Sequence, residues 1–338
     1  MPKKEIIPSG VAFVPMDQSF ETLNVYFLLV PNLSMLAFAS AIEPLRVANQ
    51  LSGKPLFRWH TLSEDGNPVT CSNGISFPVD SGLCKLERNA HVFVCSGVLP
   101  QQSTSRKSAD WVRLQWRSGH VVGGICTGAY TLAKAGILGG TEFTMHWENI
   151  PPFREQYPDL DVKEQLYVID KKIMTSSGGH ASTDLFLHLI FDRYGPVLSQ
   201  AVLEMCIHNV HRQGRDSQQS SRSAALGLRN AKLVKILEIF EENREDPIDM
   251  EDLSKRVKVS RRQIERMFAK HLGMSPRQYC QRQRLAYARS LLAETDLPIA
   301  EIAMASGFQS SSYFAKRFRE LYSVSPYQFT TARQGGDK

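Results

Sequence analysis

The sequence predicts an α/β domain built on a parallel sheet, followed by an all-α domain. Three observations carry this. Apolar segments of strand length alternate with helix-periodic segments as far as Tyr194. A polar, serine-rich stretch, GRDSQQSSRSAAL (214–226), then interrupts the pattern as a linker would. Beyond it the strand signals stop, and a repeat of about 50 residues appears. A chain of 338 residues exceeds what one core usually serves. The expected division is 1–213, a linker at 214–228, and 229–333.

Leu23–Val30 (LNVYFLLV) is a near-continuous apolar run, as in a strand buried on both faces. Ser34–Asn49 follows with helical spacing at Leu36, Ala39, Ile42, Leu45 and Val47. Phe57–Leu62, Val92–Cys95 and Val121–Gly124 read as further strands; Ala109–Arg117, Gly128–Ala135 and Asp184–Tyr194 read as helices. In such sheets a ligand site lies beyond the carboxyl ends of the strands. After the linker, Leu228–Asn243, Asp249–Arg256, Ser260–His271, Pro276–Glu294, Ala300–Ala305 and Ser310–Leu321 all carry helical periodicity.

Composition narrows the classes of function. No apolar run approaches the roughly 18 residues of a membrane span. The start, MPKKEIIPSG, lacks the apolar segment of a signal peptide, so a cytoplasmic protein without a membrane partner is expected. The cysteines Cys71, Cys84, Cys95, Cys126, Cys206 and Cys280 form no C-x-x-C pair, which suits a reducing compartment. Cys206, His208 and His211 are close in sequence but lack paired ligands elsewhere, so no metal and no cofactor is expected. The net charge of +6 is unevenly spread: residues 1–225 hold 20 basic and 20 acidic side chains, whereas 226–338 hold 20 and 14. A basic domain joined to a neutral one suggests a polyanionic partner, with a solvated basic face as the alternative.

The repeat aims that charge. Ile264, Phe268, Leu272, Met274, Ser275, Pro276 and Tyr279 recur as Phe314, Phe318, Tyr322, Val324, Ser325, Pro326 and Phe329, and Leu253 recurs as Ile302. Each copy reads short helix, turn, second helix, then a Ser-Pro that opens the next helix. Asp249 and Ser260 can cap the two helices of the first copy, and Gly307 suits the positive φ of the second turn. This is the pattern of a helix-turn-helix, whose second helix enters the major groove of double-stranded DNA. With Ile264, Met267, Phe268 and His271 inward, Arg261, Arg262, Glu265 and Arg266 point outward in the first copy. Ser311, Ser312 and Lys316 do so in the second. Arginine can chelate guanine and glutamate can accept from cytosine. The connecting helix adds Arg277, Arg282, Arg284 and Arg289, with Arg284 a candidate phosphate contact.

VSRRQIERMFAKHLGMSPRQY, RLAYARSLL and IAEIAMASGFQSSSYFAKRFRELYSVSPYQF resemble the AraC/XylS-type DNA-binding domain over about residues 230–330. The resemblance implies two recognition helices in successive major grooves on one DNA face.

In the first half, VVGGICTGAYTLAKAG places Cys126 at a sharp strand-to-helix turn between glycines. A helix N-terminus lowers a thiol pKa, so the position suits a nucleophile. His146 and Glu43 are candidate partners. Ser96-Gly97 and Ser177-Gly178-Gly179-His180 offer backbone N–H groups to an anion. Trp147 either presents an aromatic face to a cationic head or belongs to the core. Anion donors, Glu43 and Trp147 together suit a zwitterion such as an amino acid or a betaine.

Residues 22–195 resemble the PfpI-type and class I glutamine amidotransferase-like fold, implying a flavodoxin-like parallel sheet. PfpI-type proteases carry histidine after the elbow cysteine, where this chain has Thr127. Joined to an AraC-type domain, with VPNLSMLAFASAIEPLRVANQL and ICTGAYTLAKAG, the whole resembles the GlxA-type regulators, nearest to those of carnitine, betaine or arginine catabolism. That implies a regulator rather than an enzyme, most simply an activator. A small-molecule effector would bind Glu43, Ser96, Gly97, Cys126, Thr127, His146, Trp147, Gly178 and His180. A homodimer on DNA and RNA polymerase as a partner are implied as well. Structural packing of Cys126, or retained catalysis, remain the other readings of the elbow. The alternative function is a cysteine-dependent amidase or deglycase-like hydrolase with an accessory DNA-binding domain.

Overall fold

The computed structural model describes residues 7, 10–16, 18, 20–208, 212–216, 218, 231–243 and 248–334. The chain divides into two compact units, 1–218 and 219–338. Gly214, Asp216 and Gln218, polar residues read as linker, hydrogen-bond into the first unit and are part of it.

The strands of the first unit are β1 (Leu23–Leu29), β2 (Phe57–Leu62), β3 (Val69–Thr70), β4 (Ser76–Phe77), β5 (His91–Cys95), β6 (Val121–Ile125), β7 (Phe143–Thr144), β8 (Val162–Lys163), β9 (Tyr167–Asp170) and β10 (Ile173–Ser176). The main sheet runs β2-β1-β5-β6-β10-β9, parallel throughout except for β9 against β10. Every residue of β1 is buried. Its side chains alternate between two cores, Val25, Phe27 and Leu29 on one face and Tyr26 and Leu28 on the other. That is why the run is continuously apolar: a period of two places each side chain under one of two helical layers.

The helices are α1 (Met35–Ser52), α2 (Pro100–Ser103), α3 (Arg106–Arg117), α4 (Ala129–Lys134), α5 (Ile150–Gln156), α6 (Ala181–Tyr194) and α7 (Pro196–Met205). Residues of α1, α6 and α7 pack with Phe27 and Phe93, while those of α3, α4 and α5 pack with Leu28 and Val94. Pro44 lies inside α1 and cannot donate to the Ser40 carbonyl one turn earlier. The Thr183 hydroxyl donates to that carbonyl instead, at 3.1 Å, tying α6 to α1. Along the strand ends Leu29 pairs with Cys95, Cys95 with Ile125, and Ile125 with Ser176. The next residues, Ser96, Cys126 and Ser177, therefore leave the sheet along one edge.

The second unit contains α8 (Ala231–Glu242), α9 (Met250–Val257), α10 (Arg261–Leu272), α11 (Pro276–Glu294), α12 (Ile299–Ala305), α13 (Ser311–Tyr322) and α14 (Pro326–Gln334). Asp249 caps α9, while Ser260 and Ser275 form capping boxes with Gln263 and Gln278. Two separate cores form. Leu253, Ile264 and Phe268 close with Tyr279 in one, and Ile302, Phe314 and Phe318 with Leu285, Ala288 and Leu291 in the other. The helix α11 thus feeds both. The left-handed turn residue that is Gly307 in the second copy is Lys258 in the first, at φ +51°.

Candidate functional site

The residue after β6 turns back sharply. Cys126 has φ +61°, a conformation costly for a side-chain-bearing residue and held here by its surroundings. Its N–H donates to the Ser176 carbonyl at 3.0 Å. The flanking glycines leave no room for a side chain: an added Cβ would lie 2.8 Å from the Ala129 nitrogen at Gly124 and 2.3 Å from the Val94 oxygen at Gly128. Gly178, just past β10, presses on the elbow: a Cβ there would lie 2.7 Å from that of Cys126.

Burial, aided by the Glu148 charge and opposed by a hydrogen bond from the Thr127 backbone, pushes the Cys126 thiol up to about 12. The helix N-terminus was expected to activate this thiol; desolvation outweighs it, and the thiol is protonated at neutral pH. His146 donates its backbone N–H to the Cys126 carbonyl at 3.1 Å. No hydrogen bond joins its ring to the thiol among the described residues. Burial lowers the His146 pKa, against the pull of Glu148, so the imidazole is neutral. Glu43 is salt-bridged to Arg46 at 2.7 Å and half-exposed, and its charge acts on Cys206. The carboxylate felt by both Cys126 and His146 is Glu148, which the sequence reading missed.

Thr127 is buried; its hydroxyl donates to the Gly97 carbonyl at 2.7 Å and lies 3.0 Å from the Ser96 hydroxyl. It braces the β5 exit against the elbow. Gly178 N–H is engaged by Ser176 Oγ at 3.1 Å. His180 is exposed at the start of α6, its ring 6.3 Å from that of His208. Trp147 is 45% exposed, so it is not core; its ring lies 5.5 Å from that of His146. His208 Nε2 lies 3.1 Å from the buried Asp184 carboxylate, Cys206 is half-buried, and His211 falls outside the described residues.

In the second unit Arg261, Arg262, Glu265 and Arg266 are exposed on α10, above a buried Ile264 and Phe268. Arg261 is paired with Glu265 at 3.1 Å. On α13, Ser311, Ser312 and Lys316 are exposed. So is Tyr313, which sequence reasoning passed over; its hydroxyl receives Gln281 Nε2 of α11 at 3.2 Å and Arg317 Nε at 3.3 Å. The arginines of α11 divide. Arg284, the candidate phosphate contact, is half-buried and donates to the Gly307 carbonyl at 3.3 Å, bracing the second turn. Arg289 lies over the rings of Tyr322 and Phe329, 5.2 and 5.4 Å from their centroids.

The fold and these sites define a two-domain class, in which a helix-turn-helix pair follows an α/β domain with a cysteine elbow. Residues 26–191 match the DJ-1/PfpI family and residues 253–332 the Helix-turn-helix domain. The chain is 41% identical over 303 residues to the HTH-type transcriptional regulator GbdR of Pseudomonas aeruginosa, covering 90% of this chain and 83% of the relative. It is 41% identical to CdhR of the same organism, covering 93% and 91%, and 35% identical to GlxA of Rhizobium meliloti, covering 92% and 97%. The chain belongs to this family of HTH-type transcriptional regulators, which join a DJ-1/PfpI domain to an AraC-type DNA-binding domain. It is a DNA-binding regulator of transcription. Among the described residues no helix is long and apolar enough to cross a membrane.

Proposed function

We propose that the first unit senses a small zwitterion, an amino acid or a betaine, by binding it non-covalently at the elbow, and that the chain is not an enzyme. The observation that carries this is a thiol kept protonated by burial, with no hydrogen bond to the His146 ring among the described residues, while Trp147, whose ring neighbours that of His146, is exposed. A thiolate is the competent nucleophile, and burial keeps this thiol in its protonated form at neutral pH. The Trp147 face and the Glu148 charge suit a cationic head. The N–H groups of Gly179 and His180 at the start of α6, with Gly97 at the β5 exit, suit a carboxylate; Gly178, Ser96 and Thr127 line the same place with donors already engaged. Glu43 reaches the ligand only if Arg46 releases it.

In this reading the protein works in the cytoplasm as a dimeric activator that engages RNA polymerase at its operator, as its likeness to GlxA-type regulators implies. Arg262 and Arg266 read bases, and the milder second helix contributes Ser311, Ser312 and Lys316. A thermal-shift screen of the full chain with amino acids, betaines and polyamines tests the sensing claim. A ligand at 100 times its dissociation constant adds about 2.7 kcal/mol of stability. The expected result is a rise in Tm that Trp147→Ala removes; a rise that survives Trp147→Ala places the ligand elsewhere.

A further inference from the structure

Beyond α7, residues 212–216 and Gln218 form a strap held to the first unit at three points. Asp184, fully buried on α6, accepts from Arg212 through its backbone N–H at 3.1 Å, Nε at 3.0 Å and Nη2 at 2.7 Å. The carbonyls of Gly214 and Asp216 both accept from the Leu166 N–H, at 2.9 and 3.0 Å. Gly214 lies so close that an added Cβ would sit 2.6 Å from the Tyr167 oxygen. The third point is Gln218. Its Oε1 accepts from the Trp147 N–H at 2.8 Å, while its Nε2 donates to Met145 O at 2.8 Å, Gln165 O at 2.9 Å and Thr144 Oγ1 at 3.1 Å. One amide thus clamps the 144–147 segment to residue 165.

The clamp lies next to the elbow. His146 N–H bonds the Cys126 carbonyl, and the following N–H, that of Trp147, bonds Gln218. Gln218 is also the last residue of the first unit. Whatever shifts His146 and Trp147 therefore acts directly on the residue where the chain leaves for the DNA-binding unit.

We propose that the strap formed by residues 212–216 and Gln218 is a latch, with Gln218 as its catch, that passes occupation of the Cys126–Trp147 site on to the DNA-binding unit. This rests on the sensing role proposed above. A four-contact amide has a sharp optimum: a displacement of 144–147 relative to residue 165 cannot keep both ends of the amide satisfied, so the catch has two states rather than a graded response. Coupling between two sites is typically worth 5- to 150-fold in affinity, and it is reciprocal.

The test uses the full chain and a reporter driven from a promoter it binds, with glycine betaine, carnitine and arginine as probes. Two variants open the latch independently: Gln218→Ala removes the catch, and Gly214→Ala lifts the strap from Tyr167. Gln200→Ala, exposed on α7, is the control. Both latch variants should keep DNA binding and the probe-dependent rise in Tm. Their response ratio, output with probe over output without, should fall about tenfold or to one, while the control keeps it. Ratios within twofold of the wild type in both variants overturn the latch. So does loss of the Tm shift together with the response, since Gln218 would then merely hold the site together. If no probe shifts the wild type, the sensing role fails for these ligands, and the latch is judged on output without probe. Both variants should change that output at least fivefold in the same direction, and wild-type output overturns the proposal.

Discussion

His91 opens β5 with its ring largely buried and its Nδ1 without a hydrogen-bond partner. Burial, aided by Arg193 and His120, lowers its pKa to about 4. The unfolded chain takes up that proton near pH 6.5, whereas the folded chain resists it. The neutral ring's stability is therefore complete above about pH 6.5 and lost as pH falls toward 4. At 1.36 kcal/mol per unit this amounts to about 3 kcal/mol. Urea unfolding at pH 7, 5.5 and 4 should show that decline, and His91→Leu should flatten it. Cys126 makes the opposite case: with its thiol near 12, native-state alkylation by iodoacetamide at pH 8 should run roughly a thousandfold slower than that of an unperturbed thiol. Peptide mass mapping checks this; labelling as fast as half-buried Cys84 would show an activated thiol. The elbow was legible because a cysteine between glycines after an apolar strand has few other uses. Glu148 and Gln218 were not, because their partners are fixed by tertiary packing, Gln218 meeting Trp147 across 71 residues.

At the scale of elements, strands buried on both faces and helices with one apolar stripe were read correctly. β9 and β10, YVID and IMTS, were missed because short mixed runs at a sheet edge lack a clear period. In the connecting helix α11, Arg277 and Arg282 are exposed, whereas Arg284 and Arg289 have partners within the unit. The helix packs Tyr279 into one core and Leu285 to Leu292 into another, so it has no single polar face. Arg284 points to the Gly307 carbonyl, and Arg289 onto aromatic rings. Arg284→Ala should lower the stability of the second unit by about 1 kcal/mol and leave the salt dependence of DNA binding unchanged. Loss of a phosphate contact would instead reduce the slope by about one. Arg262→Ala should cost about 1–3 kcal/mol at one base pair and relax preference there. Competition binding on operator and random DNA across a salt series separates the two outcomes; equal losses on both DNAs would remove Arg262 from base readout.

For the whole molecule, the basic excess falls in the second unit, and residues 219–338 contain two cores of their own. The fragment 219–338 should bind DNA alone and 1–218 should not, with log K falling against log salt by about 0.9 per neutralised phosphate. Fluorescence anisotropy on both fragments measures this, and affinity in 1–218 would reverse the assignment. The sensing claim is tested most directly by NMR on one sample of the full chain titrated with glycine betaine, carnitine or arginine, following bound ligand and product together. Stoichiometric saturation without product, unchanged in Cys126→Ser and abolished in Trp147→Ala, is the predicted result. Product that accumulates over many turnovers and disappears in Cys126→Ser would contradict it and make the elbow an enzyme site.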